Sequence, residues 1–133
     1  MNELLTITNT PGIVHAMHLA GSLTVNTEAE FLAAVRRLRD AGTDRLVVEL
    51  SGVELVTSAG LRALHAALLL FTPRAEVEAF QRAHPGEQFK SPAFKLAGAV
   101  PNVHSILNMA GFLHTIPIYP DLQQALESFQ TSS

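Results

Sequence analysis

The sequence predicts an α/β fold: a mixed central β-sheet covered by about four helices, with an N-terminal hairpin leading into strand-helix units and an extra helix and loop inserted at about residues 72–92. Three observations carry this. Two strand-like stretches flank "NTPG", whose Pro11 and Gly12 supply turn chemistry. Short β-branched or apolar runs then alternate with three- and four-residue periodicity for the rest of the chain. The 133 residues are 47% hydrophobic and 16% charged, which is enough apolar surface for one domain, 1–133, with its own core.

The elements follow in order. "LLTIT" and "IVHAMHLAG" read as the two strands of the hairpin. In the second, Val14, Ala16 and His18 share one face while Ile13, His15, Met17 and Leu19 share the other, because strand side chains alternate. Neither face is cleanly polar, so this strand belongs inside the sheet. Thr27 and Glu30 have capping-box spacing, and Phe31, Ala34, Val35 and Leu38 make the apolar stripe of a helix that Gly42 ends. "RLVVEL" reads as a strand covered on both faces. It runs into "ELVTSAGLRALHAALLLF", where Ser58 or Thr57 is the expected N-cap. That helix is apolar almost all round. Only Arg62 and His65 interrupt it, three residues apart and so on one face, and such a helix is either sandwiched or awaits a partner.

Pro73 stands at a helix start and Pro85-Gly86 break the pattern, which gives a short helix and then a polar loop. "FKLAGA" reads as a strand, "PNVHSILNMAG" as a helix ended by Gly111, and "TIPIY" as a brief strand. "DLQQALESF" is a last helix with Asp121 and Gln124 as its cap pair, and "QTSS" is a frayed tail.

Several function classes fall away on composition. A net charge of −3, with no basic run interleaved with aromatics, argues against nucleic acid. The absence of cysteine removes disulfides, thiolate nucleophiles and Cys-based zinc sites. "MNELLTITNT" lacks the features of a signal peptide, and no apolar run is long enough to span a membrane, so a cytoplasmic protein without direct membrane insertion is expected. The six histidines form no H-x-x-x-H pair on a predicted helix, and His15 and His18 point to opposite strand faces, so no metal is expected. No phosphate-cradling glycine motif occurs, and no cofactor is expected. A nucleophile elbow needs G-x-S-x-G, but Val56 takes the first glycine position ahead of Ser58, so no enzyme is expected.

"RLVVELSGVELVTSAGLRAL" resembles the signature of the STAS family, the anti-sigma-factor antagonist domain, in which an apolar strand leads to Asp-Ser-Ser/Thr-Gly-Leu at a helix start. "LAGSLTVNTEAEFLAAV" and "NVHSILNMAGFLHTIPIYPDLQQAL" match in the same order, so the resemblance covers most of the chain outside residues 72–92. It implies a non-enzymatic protein-interaction regulator of transcription that binds an anti-sigma factor and is switched by that partner's serine kinase activity. The family's phosphoacceptor, the Ser/Thr before the glycine, falls on Ala59, and its aspartate falls on Thr57. Ser58 matches the residue between them, which is not the family's usual target, and it is the candidate phosphorylation site in this sequence. The partner-binding surface implied is Thr57, Ser58, Ala59 and Gly60, the helix face with Arg62, His65 and Leu69, and a turn around Gly21 and Ser22. Two other classes remain: an accessory subunit docked on a membrane transporter, since STAS domains also occur there with varied acceptor motifs, and a small-ligand or lipid sensor with an apolar cavity under the long segment.

Overall fold

The computed structural model describes residues 4–112 and 115–130. Residues 131–133 of the predicted tail, and His114, lie outside the described residues. Five strands form one sheet in the order β1 (Leu5–Thr10), β2 (His15–Leu23), β3 (Leu46–Val56), β4 (Phe94–Ala97) and β5 (Ile118–Tyr119). β1 runs antiparallel to β2 as the predicted hairpin, and every later pairing is parallel. The helices are α1 (Glu28–Asp40), α2 (Ser58–Phe71), α3 (Arg74–Ala83), α4 (Pro101–Met109) and α5 (Leu122–Gln130).

Alternation along the strands builds two apolar layers. Met17, Leu19, Leu46, Val48, Leu50, Phe94 and Leu96 face α1, α2 and α4 in the main core, while Val47 and Ala97 face Ala125 and Phe129 of α5. β3, in the middle, has Leu46, Val47, Val48 and Leu50 fully buried, as a strand covered on both sides requires. His15 and His18 do part to opposite faces. His15 Nε2 meets Asn9 Oδ1 at 2.9 Å, and His18 lies 3.5 Å from the Glu49 carboxylate and 3.1 Å from Thr10 Oγ1.

β3 runs six residues past its predicted end, continuing through Ser51-Gly52 to Val56. Those two residues look like turn punctuation, yet Gly52 is there for close packing: a Cβ would sit 2.8 Å from that of Ala20. "TIPIY" shrinks instead to Ile118–Tyr119.

The helix ends follow the sequence better than the starts. After α1, the Gly42 N–H donates to the Arg39 carbonyl at 3.1 Å and the Thr43 N–H to the Leu38 carbonyl at 3.0 Å, with Gly42 at φ 98°, the paired C-terminal motif that favours glycine. Asp121 caps α5 as predicted, accepting the Gln124 N–H at 2.9 Å. The capping box at α1 does not form. Thr27 is the N-cap residue, but its hydroxyl donates to the Ser22 carbonyl at 2.8 Å and accepts the Thr24 N–H at 3.0 Å, and Glu30 is exposed. The side chain is used to tie the preceding turn to β2 rather than to start the helix.

Candidate partner-binding site

The candidate site gathers at the carboxyl ends of β2 and β3, the edge where open parallel sheets place their functional residues. β3 stops at Val56, paired with Leu23 of β2, and α2 starts two residues later. The turn is fixed by one carbonyl, since that of Leu23 accepts the Thr57 N–H at 3.1 Å. Thr57 is the N-cap of α2, but neither it nor Ser58 caps with its side chain as expected. The Thr57 hydroxyl instead points at the Leu23 carbonyl, 3.5 Å away. Gly60 explains the tightness: a Cβ there would lie 2.2 Å from the Leu23 oxygen and 3.0 Å from Val56 Cγ1.

This packing sorts the turn residues. Ser58 is exposed and Thr57 half-buried, whereas Ala59, at 6% exposure, and Gly60 face inward. The one exposed hydroxyl on the first turn of α2 therefore belongs to Ser58, and residue 59 presents a nearly covered methyl. Along α2, Arg62 and His65 are exposed and Leu61, Ala66 and Leu69 half-buried, so the helix packs with one face on the core and leaves the other uncovered.

Gly21 and Ser22 stand in strand β2, not in a turn. Ser22 is in register with Leu55 and donates its N–H to the Leu4 carbonyl at 3.1 Å. Gly21 has φ 114° at a register shift, and a Cβ on it would lie 2.2 Å from the Leu4 oxygen, so its role is backbone approach within the sheet. The actual turn is residues 24–27, and it presents Val25, 65% exposed. Leu55 is 42% exposed at the end of β3. Val25 escaped the sequence reading, although an apolar residue among the turn formers of "TVNT" was a usable sign of a surface kept apolar.

No group of three His, Asp or Glu comes together to hold a metal among the described residues, and no helix described is long and apolar enough to cross a membrane. Under α3, a depression of about 210 Å³ is lined by Leu68, Leu69, Val77 and Phe89. That is below the roughly 300 to 1,000 Å³ of ordinary small-molecule sites.

The arrangement of sheet and helices is that of anti-sigma-factor antagonists. The chain superposes on an anti-sigma factor antagonist from Mycobacterium paratuberculosis with a TM-score of 0.73 at 21% identity, covering 96% of this chain and 95% of that one. A putative anti-sigma factor antagonist from Thermotoga maritima follows at 0.69 and 16%, with 93% and 94% covered. The anti-sigma factor antagonist SpoIIAA in its unphosphorylated form gives 0.66 and 11%, with 98% and 99% covered. At these identities the likeness is one of fold. No curated protein matches the sequence significantly. The family model described as "Mlab, STAS domain" matches residues 8–79, more than half of the chain, from β1 into α3 and through the whole Ser58 turn. The chain belongs to the STAS domain family.

Proposed function

We propose that this protein is a non-enzymatic regulator that binds a kinase-type anti-sigma factor through residues 55–69, with Ala59 in place of the phosphoacceptor. The observation that carries the reading is the uncovered face of α2 beside an exposed turn, on a fold shared with anti-sigma-factor antagonists. Thr57, Ser58, Arg62, His65 and Leu69 form the contact surface. Gly60 lets the turn lie close to β2, Ala59 faces inward next to it, and Gly21 and Ser22 hold the neighbouring strand end.

Phosphorylation disrupts such an interface by adding about −1.5 to −2 charges that repel or desolvate the partner. A methyl at residue 59 removes that possibility, so binding here is set by the partner's own state. The test is a pull-down with cognate kinase-type anti-sigma factors, with and without ATP. Retention in both conditions is expected, and loss in both defeats the assignment.

The buried methyl also supports a second reading, an accessory subunit of a membrane transporter whose docking needs no phosphate cycle. Stable co-purification with a transporter ATPase subunit, and none with a kinase, favours it over the first.

A further inference from the structure

The outer surface of α2 is furrowed. One depression of about 370 Å³ runs between α1 and α2, a second of about 390 Å³ lies between α2 and Phe112, and a third of about 210 Å³ lies under α3. Arg62 and Ala66 line both the first and the second, and His65 and Leu69 both the second and the third, so the three adjoin one another along the outer face of α2. Their floor is apolar and low. Leu61 and Leu69 lie eight residues, about 12 Å, apart along α2 with Ala66 between them, which leaves room for another helix to approach.

The rim has a different character. Arg36, Arg62, His65 and Arg74 edge the furrow, and Glu28 is the only carboxylate among the described residues that line it. The close contacts between basic and acidic side chains among the described residues are His18–Glu49, Arg39–Asp44 and His84–Glu87, so none engages Arg36, Arg62 or Arg74. On a chain of net charge −3 this is a local concentration of positive charge around an unpartnered apolar strip. An apolar occupant alone would strip water from three guanidinium groups without replacing it. An occupant with carboxylates at the flanks satisfies both parts of the surface.

Resting on the partner-binding reading above, we infer that the occupant of this furrow is an acidic amphipathic helix of a partner protein, an apolar row set on Leu61, Ala66 and Leu69 and carboxylates reaching Arg36, Arg62 and Arg74. The apolar positions Leu61, Ala66 and Leu69 suit the anchors of one helix, and carboxylates on its flanks meet the guanidinium groups of the rim.

The test uses the full chain, isotope-labelled for NMR, and two synthetic helical peptides with the same Leu/Ala face, one flanked by glutamates and the other by lysines. The glutamate peptide is expected to shift amide signals of residues 61–69 and 32–36 and to bind at least about tenfold tighter at low salt, a gap that narrows as salt screens it. Arg36→Glu/Arg62→Glu, two exposed changes whose folding is checked by the retained amide spectrum, should reverse the preference. Equal affinities, a preference for lysine, or shifts confined to other surfaces would overturn the inference. So would binding of the wild type to phosphatidylserine vesicles, lost in the double variant, without peptide discrimination. No anti-sigma factor is involved, so a failed pull-down with intact peptide discrimination rejects the partner class and not the furrow, and the converse rejects the furrow alone.

Discussion

At residue 59 the missing hydroxyl and the inward-facing position are separable features. Ala59→Ser restores the first without touching the second. Incubation of that variant with a matching kinase and ATP should add one phosphate, kept in Ser58→Ala/Ala59→Ser, while the wild type stays unmodified by mass spectrometry. An unchanged mass for Ala59→Ser means that the missing oxygen is not the whole difference and that the inward-facing geometry also bars the kinase. One position along, Gly60 answers to packing. Alanine normally improves a helix by about 1 kcal/mol over glycine. Here the added Cβ would collide with the Leu23 oxygen at 2.2 Å, an atom of backbone that cannot swing away. Overpacking of this kind costs roughly 1 to 3 kcal/mol, so Gly60→Ala should lower the urea midpoint despite its better propensity.

Among the elements, the helix starts show where local pattern misleads. Thr27 and Glu30 have the spacing of a capping box, but the buried Thr27 hydroxyl bonds to the Ser22 carbonyl and the Thr24 N–H. Thr27→Val keeps the shape and leaves both groups without that partner. A loss of about 1 to 3 kcal/mol is expected in denaturant unfolding, more than the roughly 0.5 to 2 kcal/mol for removing the exposed cap of α5 in Asp121→Ala. Equal losses would show that the turn has an alternative partner for Thr24. α5 covers a second unusual group. Lys95 is 6% exposed, donates to Ser128 Oγ at 2.7 Å and lies 3.9 Å from the centre of the Phe129 ring. Burial lowers its pKa from the usual lysine value, the charge of Arg45 lowers it further, and Tyr119 opposes the shift.

For the molecule as a whole, the two shifted groups give stability a predictable pH dependence. Burial lowers the pKa of His15 below 6.5, so under acid the unfolded chain takes up a proton that the fold resists. Stability from this source is intact above 6.5 and falls as pH drops from there through the lowered folded value. Lys95 has the same sign: the unfolded chain holds its proton up to about 10.5, the folded one releases it earlier, and stability rises with pH across that window. Urea titrations across pH should show His15→Gln with a shallower acidic limb and Lys95→Met with a shallower alkaline limb than wild type. Unchanged limbs would mean that neither burial matters to folding.

The sequence by itself determined the order of elements, the hairpin, the two-sided burial of β3, the glycine ends of α1 and α4, and the apolar character of α2 with Arg62 and His65 on one face. Each is encoded within a few neighbouring residues by periodicity or by a backbone conformation that glycine favours. Only the tertiary structure decided that β3 continues through Ser51-Gly52, that Thr27 binds β2 instead of capping, that Gly21 and Ser22 are strand, that Ala59 faces inward, and that Arg36, Arg62 and Arg74 rim one furrow. Those outcomes depend on atoms brought together from distant parts of the chain, such as Gly52 on Ala20 and Gly60 on the Leu23 carbonyl, and no local pattern records which carbonyl or methyl will arrive there.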